Sequence, residues 1–261
     1  MAMRFERLPH VETVVRLTIS VPFDITLNNI IRLKDRFLQE KQFTGLADLD
    51  GLEVPPGAGT WSLAGISPVA IQGAKFVGNA IGLELTMQMQ LLALRWTARS
   101  GAAYPGFVAL CESLRTLVGV ILEEIGTAEQ KTHAQIVAVV NLGYISLATP
   151  GGKIEKLTDV LSECAQAPLL RGGRVDKIHN FTLSWRETDG VDLRLDLSTQ
   201  EKAGSTSKET RFRILTVAGK TLENSTANPF DTLVSLHSRL EDTFLAVISE
   251  NAKTDWGLQT Q

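Results

Sequence analysis

Residues 191–199 read VDLRLDLST, and this stretch decides the fold class of the chain. Apolar and polar residues alternate along it, which is the period of a strand with one buried and one solvent-facing side. Strands of this kind are typical of antiparallel sheets. Alternating segments at 180–187 and 211–217 lie on either side of it in the chain, so we predict a group of antiparallel strands here.

Further strands and helices follow in both directions from this segment. Strands are predicted at 14–23, 83–99 and 136–148, the last a nearly continuous apolar run that suits a strand covered on both faces. The predicted helices lie at 29–40, 105–125 and 156–165 and from Asn228 onward. Both halves of the chain therefore read strand, helix, several antiparallel strands, helix.

This order predicts an α+β fold in which long helices pack across curved antiparallel sheets. Two arrangements stay open: two similar β-α-β-β-β-α halves at residues 1–130 and 131–261, or one continuous domain. We find no residue-level repeat that would support an ancient duplication. A chain of 261 residues can bury a large core without a metal or a disulfide, so its length permits either arrangement.

The buried faces of the two longest helices follow from the helical period. For the helix at 105–125 the predicted face is Phe107, Leu110, Leu114, Leu117, Ile121 and Ile125. Gly126 is expected to end this helix in the left-handed conformation. The last helix has Asn228 as its N-cap and Pro229 as its first residue. Its predicted face is Phe230, Leu233, Leu240, Phe244, Val247 and Ile248.

Charge and composition restrict the class of protein. The formal net charge is −3, with 26 basic and 29 acidic residues interspersed along the chain, so a dedicated nucleic-acid binder is disfavoured. The charged residues near the N-terminus do not form a signal peptide, and no apolar run reaches the roughly 18 residues of a membrane span. With only two cysteines, Cys111 and Cys164, a reducing compartment is the simpler interpretation, and we expect a cytoplasmic protein without a membrane contact.

The common catalytic and cofactor motifs are missing from the sequence. Gly219, Lys220 and Thr221 resemble the end of a phosphate-binding loop, but Ile214 stands where that loop needs its first glycine, so we interpret them as a turn after a strand. The four histidines lack metal-ligand spacing, and no nucleophile elbow or dinucleotide-binding turn occurs. We therefore expect no metal and no cofactor, and the sequence favours a protein that is not an enzyme.

One group of charged residues is a candidate binding surface. On the predicted strand at 191–199, Asp192 and Arg194 point to the side opposite the leucines, and Arg186, Arg211 and Arg213 have the same orientation on the flanking strands. The interpretation we favour is a solvated sheet face crossed by ion pairs. The alternative is a charged concave surface that binds an anionic ligand or a protein.

The segment at residues 54–74 (VPPGAGTWSLAGISPVAIQGA) contains no charged residue. Gly and Pro interrupt it, so it cannot be one regular element. We favour hairpins with uncharged turns. The alternative is a partner-facing or pocket-covering loop, in which Trp61 would be a binding residue.

Several segments spread over most of the chain resemble a family of sporadically distributed, uncharacterised bacterial proteins. They are PHVE at 9–12, YPGF at 104–107, LGYIS at 142–146 and a C-terminal region that begins with LHSR at 236–239 and ends at Trp256 and Gly257. Two positions depart from the family pattern, because Gly143 replaces an arginine and Ser146 an asparagine. A function carried by those two polar groups would be lost or moved in this chain.

The resemblance implies no chemical activity. It implies that the protein is encoded by an accessory gene of a mobile or phage-defence region, and hence that its role depends on a partner. Together with the missing catalytic motifs, it favours a non-catalytic binding or assembly protein of a bacterial complex, acting as an accessory or antitoxin-like component. A homodimer would fit, because edge strands can pair between copies. The alternative is a small-ligand-binding protein or enzyme with a pocket between sheet and helices. Nucleic-acid binding would require the arginine face to be free of carboxylates.

Overall fold

The structure is a computed structural model of the chain. It describes residues 3–5, 10–39, 43–48, 73–78, 82–99, 104–132, 136–150, 152–163, 165, 180–201, 210–222 and 227–260. The described strands are β1 (Met3–Phe5), β2 (His10–Ile19), β3 (Phe43–Asp48), β4 (Gly73–Gly78), β5 (Leu83–Gln88), β6 (Leu91–Thr97), β7 (Val137–Ala148), β8 (Asn180–Arg186), β9 (Val191–Glu201), β10 (Thr210–Thr221) and β11 (Leu258–Thr260). The described helices are α1 (Leu27–Gln39), α2 (Phe107–Ile125), α3 (Ala128–Thr132), a 3-10 helix (Leu157–Val160), α4 (Pro229–Val247) and α5 (Glu250–Asp255).

The chain divides into two compact units, and β2, β7, β10 and α4 contribute residues to both. The first unit comprises Met1–Thr13, Asn141–Lys220 and Val234–Gln261, and its main sheet has the strand order β2-β7-β10-β9-β8. The second unit comprises Val14–Val140 and Thr221–Leu233, and its strand order is β3-β4-β5-β6-β2-β7. All strand pairs with a described register are antiparallel. The predicted α+β fold class is confirmed.

The order of elements follows the predicted pattern. The first part of the chain contains β2, α1, β3 to β6 and α2, and the second contains β7, the 3-10 helix, β8 to β10 and α4. Within 156–165, where a short helix was predicted, residues 157–160 form the 3-10 helix, Leu161 is extended, and Glu163 and Ala165 are helical. The proposed halves at 1–130 and 131–261 stay a prediction.

In the second unit, α1 packs on the sheet. Its first turn is capped by Thr26, whose hydroxyl oxygen accepts the Asn29 N–H at 3.2 Å. The Phe37 ring meets the edge of Phe76 from β4 at a centroid distance of 5.1 Å, and both side chains are fully buried. The apolar residues of α1 divide between its two faces, because Ile30, Leu33 and Phe37 are buried and Ile31 and Leu38 are exposed.

The predicted face of α2 is confirmed, since all six of its residues are buried. The role of Gly126 is different from the prediction. It has an extended conformation, with φ −63°, and its N–H donates to the Leu122 carbonyl at 3.0 Å. A Cβ atom at this position would lie 2.4 Å from the same oxygen, so glycine is needed for this close approach and not for a left-handed turn.

The strand predicted at 83–99 is a hairpin of β5 and β6. Leu85 and Met87 are buried, but Met89 is 52% exposed, in the turn between the strands. The backbone carbonyls of the turn accept hydrogen bonds from an earlier part of the chain. The Met89 carbonyl accepts the Phe23 N–H at 2.8 Å, and the Gln90 carbonyl accepts the Ile19 N–H at 2.9 Å. Alternation continues across the turn, so periodicity alone did not reveal it.

The first unit has its own apolar core between the sheet, the 3-10 helix and α5. Its buried residues are Ala148, Ile154, Leu157, Val160, Leu161, Phe181, Leu195, Leu197, Phe212, Ile214, Ile248, Ala252 and Trp256. Residues 219–221 continue β10, where the sequence predicted a turn. Helix α4 begins at Pro229, and the Asn228 side chain accepts the Phe230 N–H at 2.8 Å, as predicted. Half of the predicted α4 face is buried, namely Leu233, Leu240 and Ile248, whereas Phe230, Phe244 and Val247 are only partly buried.

Candidate functional site

The charged residues singled out in the sequence share one face of the sheet formed by β8, β9 and β10. The alternate residues of β9, from Val191 to Leu197, are buried, and the intervening polar residues point away from the core. The strand register places Arg186 opposite Asp192, and Ser184 opposite Arg194. The alternation therefore identified both faces of this sheet.

Arg186 and Arg194 on this face lie beside carboxylates. The Nε atom of Arg186 lies 3.4 Å from Asp192, and the Nε atom of Arg194 lies 2.8 Å from Asp196. The hydrogen bond to Asp196 raises the pKa of Arg194 above its ordinary value. Both arginines are more than half exposed, so solvent screens these pairs. The condition set for nucleic-acid binding, an arginine face without carboxylates, is not met.

The other two arginines stand at the start of β10. Arg211 pairs in register with Gln200, and Arg213 with Ser198, both from the polar side of β9. Both side chains are half-buried. The structure thus brings five of the six candidate residues to one sheet. Trp61 and the rest of residues 54–72 lie outside the described residues.

Strand β8 is the last strand in the order of its sheet, so one side of its backbone faces away from β9. The hydrogen bonds in the turn after β8 show which backbone N–H and C=O groups face away from β9. The Glu187 N–H donates to the Val191 carbonyl at 2.8 Å, and Gly190, with φ 83°, closes the turn. Hydrogen-bonded pairs alternate along an antiparallel ladder, so Phe181, Leu183 and Trp185 also bond to β9.

The remaining residues of β8 direct their backbone N–H and C=O groups to the outer side. They are Asn180, Thr182, Ser184 and Arg186, and their side chains are exposed. Within the described residues, no strand pairs with this outer side. An edge of this kind offers a row of backbone donors and acceptors to an incoming strand.

A charged network, which sequence reasoning missed, anchors the turn of this hairpin to α4. The Arg239 guanidinium donates to both carboxylate oxygens of Asp189, at 3.0 and 2.6 Å, and also to Glu187. Lys220 lies 3.4 Å from Asp189. The hydrogen bond from Arg239 lowers the pKa of Asp189 to about 2. The network joins residues 50 positions apart in the chain, so no local pattern could have revealed it.

A second polar cluster lies between the sheet and α4 of the same unit. The Tyr144 hydroxyl on β7 and the His237 Nδ1 atom on α4 are 2.8 Å apart. On the next turn of the helix, Glu241 places a carboxylate oxygen 3.5 Å from His237 Nε2. The ring of His10, from β2, meets the edge of the Tyr144 ring at 5.3 Å, and its Nε2 atom lies 2.5 Å from the Thr13 hydroxyl.

Burial shifts the pKa values in this cluster. Loss of solvent lowers the pKa of both His10 and His237 to about 4, so both rings are neutral at pH 7. Burial, followed by the nearby charge of Asp242, raises the pKa of Glu241. Perturbed pKa values that converge on one group of side chains are typical of functional sites, although structural networks also produce them.

No protein-family model matches the chain, and no curated protein matches it in sequence. The family resemblance therefore stays a prediction. Three of the segments that suggested it supply His10, Tyr144 and His237, which meet in the cluster described above. Sequence reasoning treated these residues separately.

Two further findings concern membranes and metals. No helix in the described part of the chain is long and apolar enough to cross a membrane. Among the same residues, His, Cys, Asp and Glu side chains form no group of three or more that could hold a metal ion. His133 and His179 lie outside the described residues.

Proposed function

We propose that this chain is a binding and assembly protein that pairs with a protein partner through the outer side of β8. The observation that carries this proposal is the row of backbone groups on β8 that face away from β9. The simplest partner is a second copy of the chain, because an isologous contact uses the same strand twice.

The regularity of β8 suits such a role. It pairs with β9 over its whole length, Asn180–Arg186, without a register shift. Natural sheets protect exposed edges with proline, bulges or inward-pointing charges. β8 contains no proline, and its one charged residue, Arg186, stands at its end.

One two-fold register pairs every residue of β8 with the second copy. In this register Leu183 lies on the symmetry axis, Thr182 stands opposite Ser184 of the second copy, and Asn180 stands opposite its Arg186. The outward backbone groups then face one another as hydrogen-bonded pairs. No arginine faces an arginine, and Trp185 comes opposite Phe181 of the second copy, which is a favourable cross-strand pair.

The charged face beside this edge would set partner specificity. Its ion pairs, Arg186 with Asp192 and Arg194 with Asp196, present both signs of charge to an approaching surface. An accessory or antitoxin-like role in a phage-defence or mobile-element system belongs to the same proposal, with the partner encoded by a neighbouring gene.

A proline at residue 184 tests the open edge. Ser184→Pro removes one outward N–H and leaves the hydrogen bonds to β9 in place. We expect the wild type and the control Ser184→Ala to form dimers that dissociate on dilution, and Ser184→Pro to stay monomeric with an unchanged circular dichroism spectrum. Sedimentation velocity over a range of concentrations measures this.

A wild-type monomer at every concentration would contradict the homodimer. Native mass spectrometry after co-expression with the neighbouring genes then decides the broader proposal. A stoichiometric complex that Ser184→Pro disrupts supports assembly through β8. In the same assay, the double variant Arg194→Ala with Arg211→Ala tests the charged face, and an intact complex would exclude that face from recognition.

A further inference from the structure

The cluster of Tyr144, His237 and Glu241 has the arrangement of a nucleophile, a base and a group that orients the base. The hydroxyl oxygen and the imidazole nitrogen lie 2.8 Å apart, within hydrogen-bond distance. The carboxylate lies 3.5 Å from the other nitrogen of the same ring. Both His237 and Glu241 keep about a quarter of their side-chain surface exposed, so these two members of the cluster meet solvent.

We propose that Tyr144, His237 and Glu241 form a reactive site in which the Tyr144 hydroxyl oxygen attacks the carbonyl carbon of a neutral acyl compound. This site uses no residue of β8, so it is independent of the proposed assembly surface. It assigns a chemistry to the polar cluster between the sheet and α4.

The tautomer of His237 determines how the proton moves. The Glu241 carboxylate beside Nε2 favours a proton on that nitrogen, which leaves Nδ1 as the acceptor for the Tyr144 hydroxyl. Burial keeps the pKa of His237 at about 4, so the ring is neutral at pH 7 and its acceptor nitrogen is not protonated. The contact with His10 on the ring edge of Tyr144 limits the movement of that ring.

The charges around the site favour a neutral substrate. Glu241 and the neighbouring Asp242 place negative charge on this part of α4. The arginine on the same helix, Arg239, is bound to Glu187 and Asp189 at the β8–β9 turn. A phosphate or carboxylate substrate would be repelled by the carboxylates, whereas an uncharged ester would not.

The reaction is balanced without a further reagent. A bond forms between the Tyr144 oxygen and the carbonyl carbon, and the hydroxyl proton passes to His237 Nδ1. The bond between the carbonyl carbon and the leaving oxygen then breaks, and the leaving group takes the proton from His237. The products are an acylated tyrosine and an alcohol or a phenol. Water can hydrolyse the acyl-tyrosine in a second step.

The test uses 4-nitrophenyl acetate as the probe and the second tyrosine of the chain as an internal control. The chain has two tyrosines, Tyr144 and Tyr104. Tyr104 is 37% exposed and packs on the Trp96 ring at a centroid distance of 5.0 Å. Peptide mass spectrometry of the intact, folded chain measures the acetylation rate of each tyrosine between pH 5 and pH 9.

We expect Tyr144 to be acetylated at least about tenfold faster than Tyr104 at pH 7, since a positioned base accelerates proton removal by this much or more. The rate at Tyr144 should change little over this pH range, because His237 is deprotonated throughout it. The rate at Tyr104 should rise toward the ordinary pKa of tyrosine, about 10. Equal rates, or the same pH dependence at both residues, would overturn the proposal.

Two variants separate the roles of the partners. His237→Gln should lower the Tyr144 rate at least about tenfold and leave the Tyr104 rate unchanged. Glu241 is a positioning residue, so Glu241→Gln should lower the Tyr144 rate, and Glu241→Asp should restore part of it. An unchanged Tyr144 rate in a folded His237→Gln variant would overturn the proposal. If that variant does not fold, the pH profiles of Tyr144 and Tyr104 acetylation in the wild-type chain test the proposal instead.

Discussion

In the unit that contains β8, β9 and β10, partly buried polar side chains gather between the sheet and α4, whereas in the other unit a group of ion pairs joins Arg32 and Arg36 of α1 to Glu123 and Glu124 of α2. The first unit holds the Arg239–Asp189 network and the Tyr144–His237 pair. In the second unit, the Gln130 side chain donates to the Val21 and Pro22 carbonyls at 2.8 and 3.1 Å. The difference favours the first unit as the location of a functional site, because perturbed pKa values that converge on one group of side chains are typical of such sites.

The edge strands β3 and β8, one in each unit, also differ. β3 pairs with β4 with register shifts between Phe43 and Gly45 and between Leu46 and Asp48. Bulges of this kind distort an edge and disfavour pairing with another chain. β8 has no shift along its pairing with β9. Concentration-dependent association should therefore involve β8 and leave β3 unaffected.

The largest expected effect tests whether the two units have equally well-packed cores. Phe212→Ala in the first unit and Phe76→Ala in the second should each lower the free energy of unfolding by about 3–5 kcal/mol, because both rings are fully buried. Urea unfolding measures this. Phe244→Ala is the matched control and should cost clearly less, since Phe244 is only partly buried. An equal loss for Phe244→Ala would contradict the placement of α4.

A smaller effect should appear on acidification, and it belongs to the first unit. The pKa values of His10 and His237 lie near 4 in the folded chain and near 6.5 in the unfolded chain. Between these values the unfolded chain binds more protons, so the stabilisation is complete above about pH 6.5 and is lost as the pH falls toward 4. The loss is at most about 3 kcal/mol per histidine, and the raised pKa of Glu241 offsets part of it.

Urea unfolding at pH 7, 6 and 5 measures this dependence. His237→Gln removes one of the two groups and should make the loss of stability with falling pH shallower. Hydrogen exchange can then locate the change, with amides of β7 and α4 losing protection before those of β4 and β5. An equal loss of hydrogen-exchange protection in both units would show that the effect of acid is not confined to the first unit.

The smallest expected effect concerns the turn after β8. The pKa of Asp189 is lowered from 3.8 to about 2, so its stabilising contribution is present above about pH 3.8 and is lost as the pH falls toward 2. Because the side chain is 37% exposed, solvent screening keeps the effect below about 1 kcal/mol. Asp189→Asn should abolish this dependence while Asp192→Asn, on the exposed face, should leave it in place. Acid titrations of thermal unfolding compare the two.

The elements with strong periodicity could be predicted from the sequence. The alternation in β9 identified its buried face, and the apolar stripe of α2 identified all six predicted core positions. The predictions were wrong where the residue pattern does not change although the structure does. The alternation of β5 continues through the turn at Met89. The apolar pattern of α4 likewise continues to its C-terminal end, although Phe244 there is only partly buried.

The candidate surfaces divide in the same way. The charged face of β8 to β10 was predicted because its residues alternate within single strands. The cluster of Tyr144 and His237 was not, because these residues are 93 positions apart and neither stands in a recognisable motif. The only sequence signal was that His10, Tyr144 and His237 all belong to segments of the family resemblance.

The sequence by itself determined the α+β class, the main helices and strands and the polar face of β9, because side-chain periodicity records which side of an element meets apolar neighbours. Only the tertiary structure decided that β8 ends the sheet order and that His10 and His237 meet around Tyr144. Strand order and contacts between distant segments depend on how whole elements pack, and a pattern within one element carries no record of its neighbour.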